Sequence, residues 1–399
     1  MRRRWLTVAV VALVLAAGNV AWAAGAKGFA LVVSGRVTGP GGQEVAGALL
    51  SDGYRVAVSD AQGRVRLPTF CDRVVVLTAP PGYVVRGRWW WPARRVGGGH
   101  DFRVWAEPSA KLRRVALLAD PHLWPQASSL AARARARWRS LVSRLRLERF
   151  DLTIVAGDVL FGLDHRYRRG GAASVRRALA AAQEAVAGLP PGSLLLPGNH
   201  DVIYNHRVDL LPWRRVMGPA RQVRMVGSVA FILLDNTGYC GELAGRVRWC
   251  GRMGPEALGW LERVLRVLPR STPLVLVTHY PPLSPLAAAN PLSPRALARG
   301  FGGKTVLRSL DQSAVRVWRM LAGRRLLAWV HGHLHAYHRS VIPMRRGSWN
   351  IIGLPAVSGG WWRGDRKWGP LRFGAGYVVM SWTRGSQPRF EMRPLPGAR

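Results

Sequence analysis

The sequence predicts an α/β fold in which helices cover sheet, with an all-β sandwich module before it and a small β-rich domain after it. Three observations lead there. From Gly28 to Pro108, short β-prone runs are separated by Gly, Pro and Asp turns. From Lys111 onward, strand-like apolar runs alternate with helical patterns. Several of those runs end on side chains suited to bind a hard or borderline metal ion.

The chain opens with a basic start (Arg2, Arg3, Arg4), an apolar stretch from Trp5 to Ala17, and Ala21-Trp22-Ala23, which reads as a cleavage site. That stretch is shorter than the ~20 apolar residues of a comfortable bilayer span. Residues 1–24 are therefore expected to be a signal peptide that exports the protein to the periplasm or the extracellular space. A retained N-terminal membrane anchor is the competing outcome.

Residues 25–108 hold the runs Ala30 to Val33, Arg55 to Val58, Arg64 to Leu67 and Val74 to Leu77, spaced as in a small antiparallel sandwich. They carry no cluster of ionisable residues, so a spacer or docking role is expected. Trp89, Trp90 and Trp91 are read as covering a domain junction, with sugar or membrane binding as the alternative.

The segment 109–345 carries the chemistry. Between Ser128 and Glu148, Leu130, Trp138, Leu141, Val142 and Leu145 recur at helical spacing among arginines, which predicts a helix with a solvated basic face. Strand-like runs such as Val115 to Leu118 and Leu274 to Val277 lead into Asp120-Pro121-His122, Gly157-Asp158, Gly198-Asn199-His200-Asp201, His279 and Gly332-His333-Leu334-His335. Asp235 closes a sixth run without an obvious ligand role. This order is expected to place the metal-binding groups along one edge of a single sheet. After Met344 short β segments return, and 346–399 is expected to be a β-rich accessory domain, with Trp361 and Trp362 packed in its core or overhanging the site.

A length of 399 residues suits two or three domains. The net charge of +38 is nearly all arginine, the lysines being Lys27, Lys111, Lys304 and Lys367. Such a field attracts phosphates, nucleic acids or anionic head groups. An arginine-biased genome writing Arg wherever a solvated charge is tolerated explains it equally well. In an oxidising compartment Cys240 and Cys250 could close a short loop, leaving Cys71 unpaired.

The five motifs, in order and residue type, resemble the calcineurin-like metallophosphoesterases, whose pattern is D-x-H, G-D, G-N-H-[DE], a lone His and G-H-x-H; the match runs from Arg113 to about His338. The resemblance implies a layered β-sandwich flanked by helices and a dinuclear metal centre. It implies that Asp120, His122 and His335 hold one ion, that Asn199, His279 and His333 hold the other, and that Asp158 bridges them. It implies hydrolysis of a phosphomonoester or phosphodiester by a hydroxide held between the ions. His200 would be the acid or transition-state stabiliser, with Asp201 holding its ring. Residues 25–108 resemble the transthyretin-like or carboxypeptidase-regulatory-like modules of some exported members, and 346–399 their C-terminal accessory domain.

A bridging position needs an anion, which Asp158 supplies, whereas Asn199 offers only a neutral carbonyl. Spacing His333 and His335 two apart in extended chain would turn both rings to one side. A nitrogen and oxygen donor set without thiolate suits Mn, Fe, Zn, Co or Ni. The purple acid branch carries a ligating Tyr three residues after the bridging Asp; Phe161 stands there, which argues against a tyrosinate-bound ferric centre. Tyr204, His206, Asp164, His165, Tyr280, His331 and His338 lie near the motifs as weaker candidates.

The expected partner is a phosphate-ester substrate, small-molecule or lipid-linked, with peripheral envelope association open. The alternatives are a non-catalytic envelope-binding protein with a structural metal site, and a secreted nuclease. The nuclease is disfavoured because the arginines are dispersed and no aromatic-interleaved nucleic-acid motif accompanies them.

Overall fold

A computed structural model of the chain describes residues 29–108, 112–123, 129–204, 207–243, 246–283, 310–344, 348–359, 367–368 and 371–395. The expected leader, His206, Trp361 and Trp362 lie outside the described residues. Among those described, no helix is long and apolar enough to cross a membrane.

Two sheets form the centre of the molecule. The first has five strands in the order Leu194–Leu196, Leu152–Ala156, Leu112–Leu118, Gly376–Thr383 and Arg389–Pro394. The second has eight, running Arg221–Val226, Val229–Leu234, Leu274–Thr278, Leu326–His331, Ser348–Gly353, Ala336–Pro343, Leu371–Phe373 and Lys367–Trp368.

Strand periodicity decides how they stack. Val115, Leu117 and Ile154 of the first sheet face Phe231, Leu233, Val275 and Val277 of the second in one dry core. The alternate residues Ala116, Leu118 and Val155 face outward against helices Ser129–Glu148 and Leu163–Ala187, packing with Trp138, Leu141, Leu145, Val175 and Leu179. On the other side, Ile232, Leu234, Leu276 and Trp329 meet helices Pro255–Val267 and Ala314–Met320. The result is a four-layered helix–sheet–sheet–helix sandwich. On the helix Ser129–Glu148, Ala134, Trp138, Leu141 and Leu145 are buried, and Arg133, Arg139, Arg144 and Arg146 are exposed.

Two expectations are corrected. The motif-bearing strands belong to two sheets, not to one. A strand buried on both faces reads as a continuous apolar run whichever sheet it joins, so the runs alone do not show the partition. Nor does 346–399 stand apart as a domain. Ser348–Gly353 pairs parallel with Leu326–His331, and Gly376–Thr383 pairs antiparallel with Leu112–Leu118, so the tail completes both catalytic sheets.

Residues 29–108 form a three-stranded sheet (Arg64–Phe70, Ala30–Thr38, His100–Arg103) and a four-stranded sheet (Val56–Val58, Leu49–Ser51, Val74–Thr78, Trp90–Pro92). A separate core of Val33, Val37, Leu50, Leu67, Val75, Leu77 and Phe102 joins them. The tryptophans divide their work. Trp91 packs edge-on against Phe102 inside the module at 5.4 Å. Trp89 donates to Gln222 Oε1 at 3.1 Å and lies under the Arg224 guanidinium, fixing the junction with the outer strand Arg221–Val226. At the same junction Thr78 Oγ1 donates to the Val223 carbonyl at 2.7 Å, and Trp260 Nε1 to Ser51 Oγ at 2.8 Å.

Candidate metal centre

The metal-motif residues sit just beyond strand ends. Leu112–Leu118, Leu152–Ala156 and Leu194–Leu196 lead to Asp120, Asp158 and Asn199, while Leu274–Thr278 and Leu326–His331 lead to His279 and His333. Parallel strands deliver their C-terminal ends to one side of the sandwich, and both sheets contribute.

Backbone strain marks the same place. Asp120, His122, Asp158, His333 and His335 all have φ between 45° and 67°, and among the described non-glycine residues only Arg149 shares that region. Each such residue costs on the order of 1–3 kcal/mol and persists only where its surroundings over-determine it. His333 and His335 therefore reach different neighbours through left-handed backbone beyond the strand, correcting the expectation of extended chain. Gly157 and Gly198 allow close approach: a Cβ on either would fall onto the His279 ring or the Asp158 carboxylate.

All seven expected metal-binding residues converge, in two groups. In the first, His335 Nε2 lies 3.3 Å from Asp120 Oδ1 and 3.1 Å from His122 Nε2. In the second, Asn199 Oδ1 lies 3.0 Å from both His279 Nε2 and His333 Nδ1. Asp158 stands between them, its Oδ2 at 3.9 Å from His122 Nε2 and 3.3 Å from His279 Nε2. Its Oδ1 accepts the His200 backbone amide at 2.8 Å. Asp158 Oδ2 therefore faces both groups.

The donor chemistry fits cations. His279 Nδ1 lies 3.0 Å from the Ala156 carbonyl, which requires the proton on that nitrogen and turns a bare Nε2 lone pair toward two oxygens. Such an arrangement is repulsive unless a positive charge stands among the donors. Although burial opposes it, Asp158 pulls His279 up to about 9, the proton here doing what a metal ion does. Asp158, despite its own burial, is held well below the usual carboxylate range by His279, His200 and His122. Burial keeps His122 and His333 well below the ordinary histidine value, so their lone pairs are available for metal. Asp120, His122 and His335 form one set of candidate ligands, and Asp158, His279 and His333 another.

His200 is half-buried at the mouth of this cluster, its ring 5.3 Å from that of His122. Phe161 stacks on it at 4.5 Å and 19°. Burial lowers the His200 pKa. The expected Asp201 contact to the His200 ring is corrected. The fully buried Asp201 carboxylate accepts the amides of Leu160 at 2.7 Å, Gly198 at 2.9 Å and Val159 at 3.0 Å. Three backbone donors engage both of its oxygens, and it fastens the Asp158 loop to the Asn199 loop. Burial and the nearby Asp158 charge push it up to about 8 against those donors.

Among the weaker candidates, the Tyr280 ring lies 4.1 Å from that of His333, and Tyr204 Oη reaches the Asn199 carbonyl at 3.4 Å. Asp164 accepts the Tyr204 amide at 2.8 Å. His331 and His338 are buried and meet each other at 3.1 Å, while His165 is exposed on its helix.

Two residues with a positioning role escaped the sequence reading. Asn236, fully buried, accepts the amides of His279 at 3.1 Å and Tyr280 at 3.0 Å, and donates to Asp311 Oδ2 at 3.0 Å. Its signal was the polar Asp235-Asn236 step ending an apolar run; the ligand-like Asp235 instead forms a buried ion pair with Arg221. Ser358 Oγ donates to the Asp120 carbonyl at 2.8 Å, and nothing local marks it.

The sequence profile of the calcineurin-like phosphoesterases matches residues 113–337, more than half of the chain. Comparison with curated proteins gives no match. Among solved structures, a purple acid phosphatase from yellow lupin (Lupinus luteus) seeds is similar at 14% identity, covering 93% of this chain and 68% of that one, with a TM-score of 0.46. A dimetal phosphatase from Danio rerio is similar at 14% identity, covering 71% of this chain and 96% of that one, with a TM-score of 0.44. Neither distant likeness bears on the chemistry. The family match and the buried Asp and His groups agree: the chain belongs to the calcineurin-like phosphoesterase family and is a metal-dependent phosphoester hydrolase.

Proposed function

We propose that the protein is an exported hydrolase that holds two divalent ions and cleaves a phosphomonoester or phosphodiester of a small-molecule or lipid-linked alcohol. The observation that carries this reading is Asp158 Oδ2 facing His122 on one side and His279 on the other. Asp120, His122 and His335 would hold one ion, Asn199, His279 and His333 the second, and Asp158 both. The nitrogen and oxygen donors suit Mn, Fe, Zn, Co or Ni. Bound divalent ions neutralise phosphate oxygens and lower the pKa of a coordinated water.

The chain's own residues do the rest. The Asp158 oxygen that faces both groups is oriented by the His200 amide on its other oxygen. The His200 ring, stacked on Phe161, would meet the departing ester oxygen. With its pKa lowered, His200 acts at neutral pH as a neutral N–H donor to the leaving oxygen, stabilising charge as it develops. The basic leader and the Cys240–Cys250 disulfide support export, since disulfides persist in oxidising compartments.

The test is hydrolysis of p-nitrophenyl phosphate and its bis ester by purified protein, with and without Mn2+, alongside elemental analysis. Metal-dependent turnover with two ions per chain supports the proposal. A folded, metal-loaded sample inert toward both esters and a broad ester panel overturns it in favour of a binding protein.

A further inference from the structure

The strands Thr237–Leu243 and Arg246–Gly251 pair into an antiparallel hairpin that starts one residue after Asn236. Trp249, on the return strand, is 45% exposed. Its ring nevertheless lies 6.4 Å from that of His200 and 6.4 Å from that of Tyr204. Phe161, stacked on His200, continues the row, so Phe161, His200, Trp249 and Tyr204 make an aromatic border beside the carboxylates and imidazoles of the metal centre.

Scattered exposed aromatics need no explanation, but this indole joins His200 to Tyr204 in a continuous row of rings at a reaction centre. It is also held rigidly. Cys250, next to Trp249, is disulfide-bonded to Cys240 across the hairpin. The hairpin base is fixed by the Arg252 amide on the Asn236 carbonyl at 2.7 Å and the Gln312 amide on the Gly251 carbonyl at 2.8 Å. A rigid aromatic face loses little conformational entropy when it takes up a ligand.

Building on the proposed placement of His200 at the leaving oxygen, we infer that Trp249 forms an aromatic subsite for the alcohol part of the ester. Whatever is bonded to an oxygen beside His200 extends toward Trp249. A leaving group with a flat unsaturated ring, such as an aryl group or a nucleobase, stacks there, whereas a compact aliphatic alcohol finds no partner for its methylenes on that face. Trp249 thereby ranks substrates without touching the phosphorus.

The experiment compares p-nitrophenyl phosphate, a nucleoside monophosphate and glycerol phosphate on the metal-loaded wild type, Trp249→Ala and Trp249→Phe. Stacking of a ring on an aromatic side chain is worth on the order of a tenfold change in affinity or more. Trp249→Ala is expected to raise KM about tenfold for the two ring-bearing esters, by a much smaller factor for glycerol phosphate, with metal content unaltered. Trp249→Phe should fall between. An equal change on all three esters, or no change on any, overturns the subsite while leaving the hydrolase reading intact. Absence of wild-type turnover on all three, on bis(p-nitrophenyl) phosphate and on the broad ester panel overturns both.

Discussion

The His200 amide donates to Asp158 Oδ1 at 2.8 Å, and this bond aims the other carboxylate oxygen at both histidine groups. A backbone donor fixes the orientation of the shared carboxylate, so the His200 side chain is free for a different task. Substitutions at the two positions should therefore behave differently.

Replacing Asp158 with Ala removes the only carboxylate that faces both groups among the described residues. Elemental analysis should show loss of both ions, and kcat/KM should fall on the order of 10^3-fold or more. Two ions per chain in the purified variant would refute the shared role.

His200→Ala keeps the backbone amide and so keeps the metals. Loss of a positioned hydrogen-bond donor should lower kcat by about 10^2 to 10^3-fold for alkyl esters, and by less for p-nitrophenyl phosphate, whose leaving group needs little help. Unchanged turnover of an alkyl ester by a metal-loaded variant would remove His200 from the chemistry. Asp201→Ala should act chiefly on stability, because three buried amides lose their acceptor at roughly 1–3 kcal/mol each. Chemical denaturation reads that loss, and an undiminished unfolding midpoint would contradict it.

Asn236→Ala strips the acceptor from the amides that hold His279 and Tyr280. Removing such an outer support typically weakens metal binding by about 10 to 100-fold. Competition with a graded chelator measures this, and wild-type affinity would show that the strand end holds His279 unaided.

Burial raises Asp311 from 3.8 to about 6. A carboxyl whose folded pKa exceeds its unfolded value stabilises the protein at low pH, and that contribution is lost as pH rises through about 6. Against Asp311→Asn, metal-free wild type should therefore lose about 2 kcal/mol between pH 4 and pH 6. Parallel stability profiles of the two proteins would exclude the effect.

Asp235→Ala would leave the Arg221 guanidinium buried beside the Gly53 carbonyl without its counter-charge. The expected destabilisation is about 3–5 kcal/mol, read by thermal or chemical unfolding. Because Arg221 also ties the N-terminal module to the catalytic sandwich, limited proteolysis near Pro108 should accelerate in the variant. A stable, resistant variant would show the pair to be dispensable.

The sequence by itself determined the order of strand, ligand and turn. Leu112–Leu118 and Leu274–Thr278 are apolar runs too short for helices, and Asp120, Asp158, Asn199 and His279 follow such runs because chemistry gathers at the ends of parallel strands. The buried face of Ser129–Glu148 and the strands Ala30–Thr38, Val56–Val58, Arg64–Phe70 and Val74–Thr78 were legible for the same reason: side-chain period is a local property. Tertiary structure alone decided that the ligand-bearing strands fall into two sheets, that Ser348–Gly353 and Gly376–Thr383 complete them, and that Asp201 gives its carboxylate to the amides of Val159, Leu160 and Gly198. It alone brought Asn236 to His279, Ser358 to Asp120 and Trp249 to His200. Those pairings join segments tens to hundreds of residues apart, and which distant donor meets which acceptor depends on how the layers pack, which no local pattern encodes.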